Sequence, residues 1–156
     1  MKKAGALLAK RAYSRKALQK KLAGLAEDEQ IESVLNRLER LNLLNDAQYA
    51  YNFARRKMEA QGWSPAKVLN ALLGHQVESS IVQSALNQVL SELDDQSAVA
   101  LYLKKRYANG NLPNDLSGIR KLISHLRHRG FDEKSIFDAL RGTIPNADLQ
   151  QFETGD

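Results

Sequence analysis

Residues 64–86 read SPAKVLNALLGHQVESSIVQSAL, and residues 117–140 read SGIRKLISHLRHRGFDEKSIFDAL. With an offset of 54 residues their apolar positions coincide, so that Val68 corresponds to Leu122 and Leu72 to Leu126. Within each stretch the apolar residues recur every three or four positions, which is the spacing of an amphipathic helix. One spacing pattern that occurs twice predicts tandem copies of one helical unit.

The same helical pattern extends through the rest of the chain. Ser14, Leu18 and Leu22 lie 50 residues before Ser64, Val68 and Leu72. No segment alternates apolar and polar residues for long enough to predict a strand. The sequence therefore predicts an all-α protein.

Three tandem three-helix repeats, stacked into an elongated array, account for these correspondences. The predicted boundaries are 1–44, 45–94 and 95–142, followed by a tail, 143–156, that we expect to be partly disordered. Stacking is expected because a unit of this size cannot bury its apolar faces alone.

Capping signals give the expected ends of several helices. Ser14, Ser64 and Ser117 are expected as N-caps, and Ser64 is followed by a proline at the first helical position. Gly74 and Gly130 follow apolar stripes and are expected to end helices.

Positive charge is concentrated in clusters along the chain. The formal net charge is +5, yet the first 24 residues carry eight basic residues and no acidic one. The helix dipole explains one cation near the end of a helix but explains two or three less well. Stacked repeats would align the clusters into one basic stripe that binds a polyanion. The predicted stripe comprises Lys10, Arg11, Arg15, Lys16, Lys20, Lys21, Arg55, Arg56, Lys57, Lys104, Lys105, Arg106, Arg120, Lys121, Arg127 and Arg129.

The first of these clusters is expected on a solvated helix face. Leu18, Leu22 and Leu25 are predicted to form the buried face of that helix. Arg15, Lys16 and Lys20 would then lie on its solvent side, where loss of their charge should spare folding.

Signatures of catalysis are missing from the sequence, and no catalytic, cofactor-binding or metal-binding residue is predicted. It has no cysteine, no glycine-rich phosphate loop and no nucleophile elbow. His125 and His128 could share a metal, but no third ligand is evident and the surrounding run is basic. The acidic residues near the start of one helix are interpreted as partners of its dipole: Glu27, Asp28, Glu29 and Glu32. We expect a binding protein, not an enzyme.

Trp63 is the only tryptophan. We interpret it as a hydrophobic staple, because it directly precedes an N-cap. A platform on which a nucleic-acid base stacks is the alternative.

Location and assembly follow from coarser features. No apolar run reaches the roughly 20 residues that cross a bilayer. The absence of cysteine fits a reducing compartment. We expect a cytoplasmic monomer that does not bind membranes.

Three stretches resemble the RecX family of recombination regulators. They are LLAKRAYSRKALQKKLAG at 7–24, LNLLNDAQYAYNFARRK at 41–57 and HLRHRGFDEKSI at 125–136. The resemblance extends over about residues 4–142, in the family's order. Two departures are Ala17, where the family usually has an acidic residue, and Asn45, the first of its paired aspartates.

The resemblance implies tandem three-helix repeats that lie in the groove of a RecA–DNA filament. There the protein would oppose filament growth and decrease strand exchange, ATP hydrolysis and co-protease activity. DNA would be contacted weakly through phosphates, with an affinity that depends on salt.

Two other classes of protein stay open. A stand-alone DNA-binding protein, such as a transcription factor, would suit the charge, although no recognition helix carries Asn, Gln and Arg spaced for base edges. A helical protein-interaction scaffold would suit the repeats, although known scaffold repeats have other lengths and signatures.

Overall fold

The computed structural model describes residues 1–93, 95–144 and 149–153, which form α-helices and no strand. The prediction of an all-α protein is therefore confirmed. The helices are α1 (Lys2–Lys10), α2 (Arg15–Leu22), α3 (Asp28–Arg40), α4 (Asp46–Gln61), α5 (Pro65–Gly74), α6 (Ser79–Glu92), α7 (Asp95–Arg106), α8 (Leu116–His128), α9 (Glu133–Thr143) and α10 (Gln150–Glu153).

The chain forms two compact units. The first comprises residues 1–54 and 69–87, and the second comprises 55–68 and 88–156. The division passes through α4, α5 and α6, so the predicted central repeat contributes residues to both units. The predicted repeat boundaries stay a prediction.

The core of the first unit lies where α2 and α3 meet, with α1 packed onto α2. Its buried apolar residues include Ala4, Leu18, Leu22, Ile31, Leu35, Leu38 and Leu44. The prediction that Leu25 belongs to the buried face of α2 is wrong, because its side chain is 53% exposed. The helix ends at Leu22, and Gly24 then turns the chain with φ +78°.

The N-terminus of α2 is the main polar junction of the first unit. Ser14 is buried and caps the helix, since its Oγ accepts a hydrogen bond from the Ala17 N–H at 3.2 Å. The same hydroxyl donates to the His75 carbonyl at 2.5 Å, beyond the end of α5. The Asp46 carboxylate, at the start of α4, accepts from the Arg15 N–H at 2.7 Å. Three helix ends therefore meet at this point.

A related junction stands in the second unit. Ser64 is buried and caps α5, with its Oγ 3.4 Å from the Lys67 nitrogen. Pro65 has no N–H to donate, and the N–H of the next residue, Ala66, donates to the Arg129 carbonyl at 3.1 Å. Gly130 follows with φ +86°, as the predicted helix-ending glycine should.

Two capping predictions need correction. Helix α8 is capped by Asp115, whose carboxylate accepts from the Gly118 N–H, and Ser117 lies within the first turn. A carboxylate two residues earlier satisfies the same backbone donors and also complements the helix dipole. Gly74 lies within α5, and Gln76 adopts the left-handed conformation that ends the turn, with φ +60°.

The second unit is built around the contact of α7 and α9 and that of α8 and α9. Its buried apolar residues include Met58, Val68, Val99, Leu103, Ile119, Leu122, Leu126, Ile136, Phe137 and Leu140. The C-terminal tail contributes as well, since Leu149 is only 4% exposed. The expected disorder of the tail at 145–148 and 154–156 concerns residues outside those that the structure describes.

Gly62 lets the α4–α5 turn approach α7 closely. Its φ is +61°, and a Cβ built on it would lie 2.9 Å from Lys105 Cγ and 3.1 Å from the Leu101 carbonyl oxygen. Any larger residue would be strained by its backbone conformation and would also collide with α7.

Replacement of Ser14 by alanine should destabilise the protein. It removes the cap of α2 and leaves the His75 carbonyl without its donor, which should lower the free energy of unfolding by about 1–3 kcal/mol. Chemical denaturation measures this change. Ser33→Ala, an exposed position on α3, should stay within about 0.5 kcal/mol of wild type. Equal stability of the two variants would contradict the junction.

Comparison of Gly62→Ala with Gly110→Ala separates the cost of the backbone conformation from the cost of the collision with α7. Gly110 has φ +76° but open space around a built Cβ, so its substitution carries only the conformational cost, roughly 1–2 kcal/mol. Gly62→Ala adds the collision with α7 and should cost about 1 kcal/mol or more beyond that. Thermal unfolding measures both, and equal costs would show that α7 does not constrain the turn.

Candidate nucleic-acid interface

The predicted basic residues of the first unit lie on α1, on α2 and between them. Five are exposed: Lys10, Arg11, Lys16, Lys20 and Lys21. The Arg11 guanidinium carbon stands 4.5 Å from the centre of the Tyr13 ring. These side chains are accessible to solvent, and their role in binding a polyanion stays a prediction.

Arg15 behaves differently, and the expectation that it lies on the solvent side is wrong. Its side chain is 25% exposed and pairs with Glu32 and Glu39, each at 2.9 Å. Both carboxylates project from one face of α3, which therefore holds the guanidinium against it. The hydrogen bond between Arg15 and Glu32 raises the pKa of Arg15 and lowers the pKa of Glu32. Arg15 is thus a link between α2 and α3.

Several predicted cations of the second unit also have internal partners. Arg55 pairs with Glu59 at 3.1 Å and with Glu92 at 3.5 Å. Arg127 is bonded to Glu133. Four other exposed members, Arg56, Lys104, Arg120 and Lys121, have no carboxylate within salt-bridge distance among the described residues.

A cleft of about 300 Å³ in the second unit brings other cations together. It lies between the α4–α5 turn, the end of α7 and the turn after α8. Its lining consists of Gln61, Gly62, Trp63, Ser64, Lys67, Tyr102, Lys105, Arg106 and Arg129. Four of these nine residues are cationic, and none carries a carboxylate.

The charges of the cleft are not neutralised within the described part of the protein. No described carboxylate lies within salt-bridge distance of Lys67, Lys105, Arg106 or Arg129. This separates them from Arg15, which is paired twice. Cations that share one concave surface without a carboxylate create a local positive potential that attracts phosphate.

Aromatic rings stand beside these cations. The Lys57 and Lys67 ammonium groups lie 4.6 Å and 4.2 Å from the centre of the Trp63 ring, within the range of cation–π attraction. Tyr102 bonds through its hydroxyl to Nε2 of His125 at 2.7 Å. Lys67 is the fourth residue after Trp63 on the chain. The staple interpretation of Trp63 stays a prediction.

Sequence reasoning anticipates part of this cleft. Lys105, Arg106 and Arg129 are expected as binding residues, and the fold brings them together. Lys67 and Tyr102 are not expected, because neither belongs to a basic cluster. The four-residue spacing of Trp63 and Lys67 is a signal that could have indicated Lys67. Alignment of all clusters into a single stripe stays a prediction.

Other kinds of site find no support in the part of the chain that the structure describes. No group of three or more His, Asp or Glu side chains there could hold a metal ion. Within that same part, no helix is long and apolar enough to cross a membrane.

His125 should make the stability of the protein depend on pH. Burial lowers its pKa, and the positive charges of Arg106, Arg129 and His128 lower it further. Because the unfolded chain then binds the proton more tightly, stability is lost as the pH falls below the ordinary histidine value of about 6.5. The free energy of unfolding should therefore fall between pH 7 and 5, and less steeply in His125→Gln. A wild-type slope in His125→Gln would refute the assignment.

Comparison with known proteins gives the chain its relatives. A family model described as "RecX, second three-helix domain" matches residues 45–86. The regulatory protein RecX of Corynebacterium efficiens is 32% identical over 152 residues, covering 93% of this chain and 72% of that one. The regulatory protein RecX of Stenotrophomonas maltophilia strain R551-3 is 32% identical over 136 residues, covering 86% and 81%.

Solved structures agree on the fold. The crystal structure of RecX from Lactobacillus salivarius superposes with a TM-score of 0.73 at 23% identity, over 91% of this chain and 92% of that one. Identity above 30% over most of both chains, together with the family model, identifies the relationship: the chain belongs to the RecX family of regulatory proteins.

Proposed function

We propose that this protein binds in the groove of RecA–DNA filaments and inhibits or modulates the recombinase, ATPase and co-protease activities of RecA. It would do so in the cytoplasm, as a monomer, without catalysing a reaction or holding a cofactor. Its family membership supports this proposal, because its relatives are named regulatory proteins.

The observation that carries the proposal is the set of cations without a carboxylate partner. The cleft of the second unit holds four of them, and exposed lysines cover α2 in the first unit. A surface of this kind favours a polyanion, and its affinity falls as salt rises because bound counterions are released. A groove that contains DNA offers phosphates at many points, so several weak contacts on one chain would add up.

A stand-alone DNA-binding protein is the second candidate, because the same cleft could take phosphates without RecA. The two functions differ in their effect on RecA. A stand-alone binder would inhibit RecA only by competing for DNA, so excess DNA would abolish its effect.

RecA ATPase on single-stranded DNA, titrated with this protein, tests the proposal. Inhibition should occur at protein concentrations too low to cover the DNA. Lys16→Gln/Lys20→Gln should weaken filament binding and decrease the log–log salt slope by about 0.7–0.9 for each phosphate that the variant no longer neutralises. Both lysines are exposed and outside ion pairs with the described carboxylates, so the fold should be kept.

Lys2→Gln/Lys3→Gln is the matched control, because it removes two exposed charges from α1 that lie outside the predicted stripe. Circular dichroism checks that each variant is folded. No inhibition by the wild-type protein, or inhibition that excess DNA removes, would contradict the proposal.

A further inference from the structure

The cleft of the second unit is held in shape by backbone contacts. Arg129 is fixed there because its carbonyl accepts the Ala66 N–H at 3.1 Å. On the other side, Gly62 allows the Lys105 side chain to lie against the α4–α5 turn. The cations therefore come from three separate elements that the fold itself brings together. A chance grouping on one exposed helix would have no such support.

The positive charge of the cleft acts on its neighbours. The pKa of His125 is lowered first by burial and then by the charges of Arg106 and Arg129. That charge is compensated by no described carboxylate. An anion in the cleft would supply the missing charge, and Arg106 and Arg129 have the planar donor geometry that suits phosphate oxygens.

The aromatic side of the cleft indicates more than a simple anion. Trp63 is half-buried, and an ammonium group stands 4.2 Å from its ring centre. Indole is a surface on which nucleic-acid bases stack. The Lys57 and Lys67 ammonium groups lie over this ring, so a base that stacks on it would displace an ammonium group, which could then contact a backbone phosphate. Phosphate donors and an aromatic ring in one cleft match the two halves of a nucleotide.

The size of the cleft limits the ligand. About 300 Å³ is at the small end of the roughly 300–1,000 Å³ of small-molecule sites, which suits one nucleotide. Bases of a duplex are paired and stacked within it, so they cannot enter such a cleft without being extruded.

We propose that this cleft binds one nucleotide of an unpaired strand, with the phosphate held by Lys105, Arg106 and Arg129 and the base against Trp63. This proposal depends on the proposed function only for where the strand is met, which would be the filament. The chemistry it requires is a phosphate joined to an unpaired base, and a free nucleotide shares that chemistry.

Direct binding to the isolated full-length protein tests the cleft without RecA. Fluorescence anisotropy would follow a labelled ten-nucleotide oligo(dT) strand, a duplex of the same length and, as a competitor, dTTP. The single strand should bind at least about fivefold more tightly than the duplex. Competition by dTTP at concentrations similar to those of competing unlabelled strand would identify the free nucleotide as the ligand and keep the assignment of the cleft.

Two variants and one control separate the cleft from general charge. Lys105→Gln keeps the methylene groups that lie against Gly62 and removes only the charge. Trp63→Leu removes the ring, and each variant should weaken binding of the strand at least about fivefold. Lys134→Gln, exposed on α9 outside the cleft and the predicted stripe, removes the same charge and should leave binding unchanged. Trp63→Phe should restore most of the affinity, which excludes misfolding as the cause of the weaker binding in Trp63→Leu.

Other outcomes would overturn the cleft assignment or separate it from the proposed function. Equally weakened binding in Lys105→Gln and Lys134→Gln, with wild-type binding in Trp63→Leu, would overturn the assignment. Preference for the duplex would overturn it as well. If RecA is inhibited but the cleft variants bind the strand like wild type, the cleft proposal fails and the proposed function stands. If the strand binds in the cleft but RecA is unaffected, the proposed function fails and the cleft assignment stands.

Discussion

The hydrogen bond from the buried Ser14 hydroxyl to the His75 carbonyl is the constraint on which the first unit depends. Ser14 has to cap α2, because the first N–H groups of a helix have no partner within it. The hydroxyl can donate one hydrogen bond, and it donates to the carbonyl of His75, just beyond the end of α5. One buried side chain thereby satisfies the start of one helix and the end of another. The same need is met differently in the second unit, where a backbone N–H donates to Arg129 and Ser64 serves only as the cap.

These junctions explain where the protein neutralises its charges and where it does not. Helices α2 and α3 contact each other, and Arg15 faces the acidic side of α3 and is paired there. In the second unit, the hydrogen bond at Arg129 joins the start of α5 to the turn after α8. Basic residues near the ends of helices surround this point. Helices α4, α7 and α8 end at this cleft, and the carbonyl end of a helix favours cations near it. The cleft is positive because the fold places Lys67, Lys105, Arg106 and Arg129 around it and no described carboxylate among them.

The helices were predictable from the sequence, and their ends were less so. Apolar spacing indicated the buried residues of α2, α3, α5, α8 and α9, because one face of each helix contacts the core. Spacing alone does not show that α2 ends at Leu22, so the pattern places the exposed Leu25 on its buried face. Serine and aspartate are equally good caps, so the sequence does not distinguish Ser117 from Asp115, and only the structure shows that the chain uses Asp115. The cleft was less predictable than the fold, since a basic cluster is visible in the sequence whereas its neutralisation depends on which acidic residues a neighbouring helix presents. Lys67 stands alone in the sequence and acquires its neighbours only through folding.

Whether a cation can contact a phosphate depends on its exposure and on whether a carboxylate already pairs with it. A cation that already has a carboxylate must give it up before it contacts phosphate, so little free energy is gained from the exchange. A cation without one exchanges only water and loosely held counterions, and the release of those counterions favours binding. Arg15 and Arg106 look equivalent along the chain, although the first is paired twice and the second faces no described carboxylate. In the proposed binding, the contribution of a basic residue would therefore depend less on its place in a cluster than on the helix face opposite it.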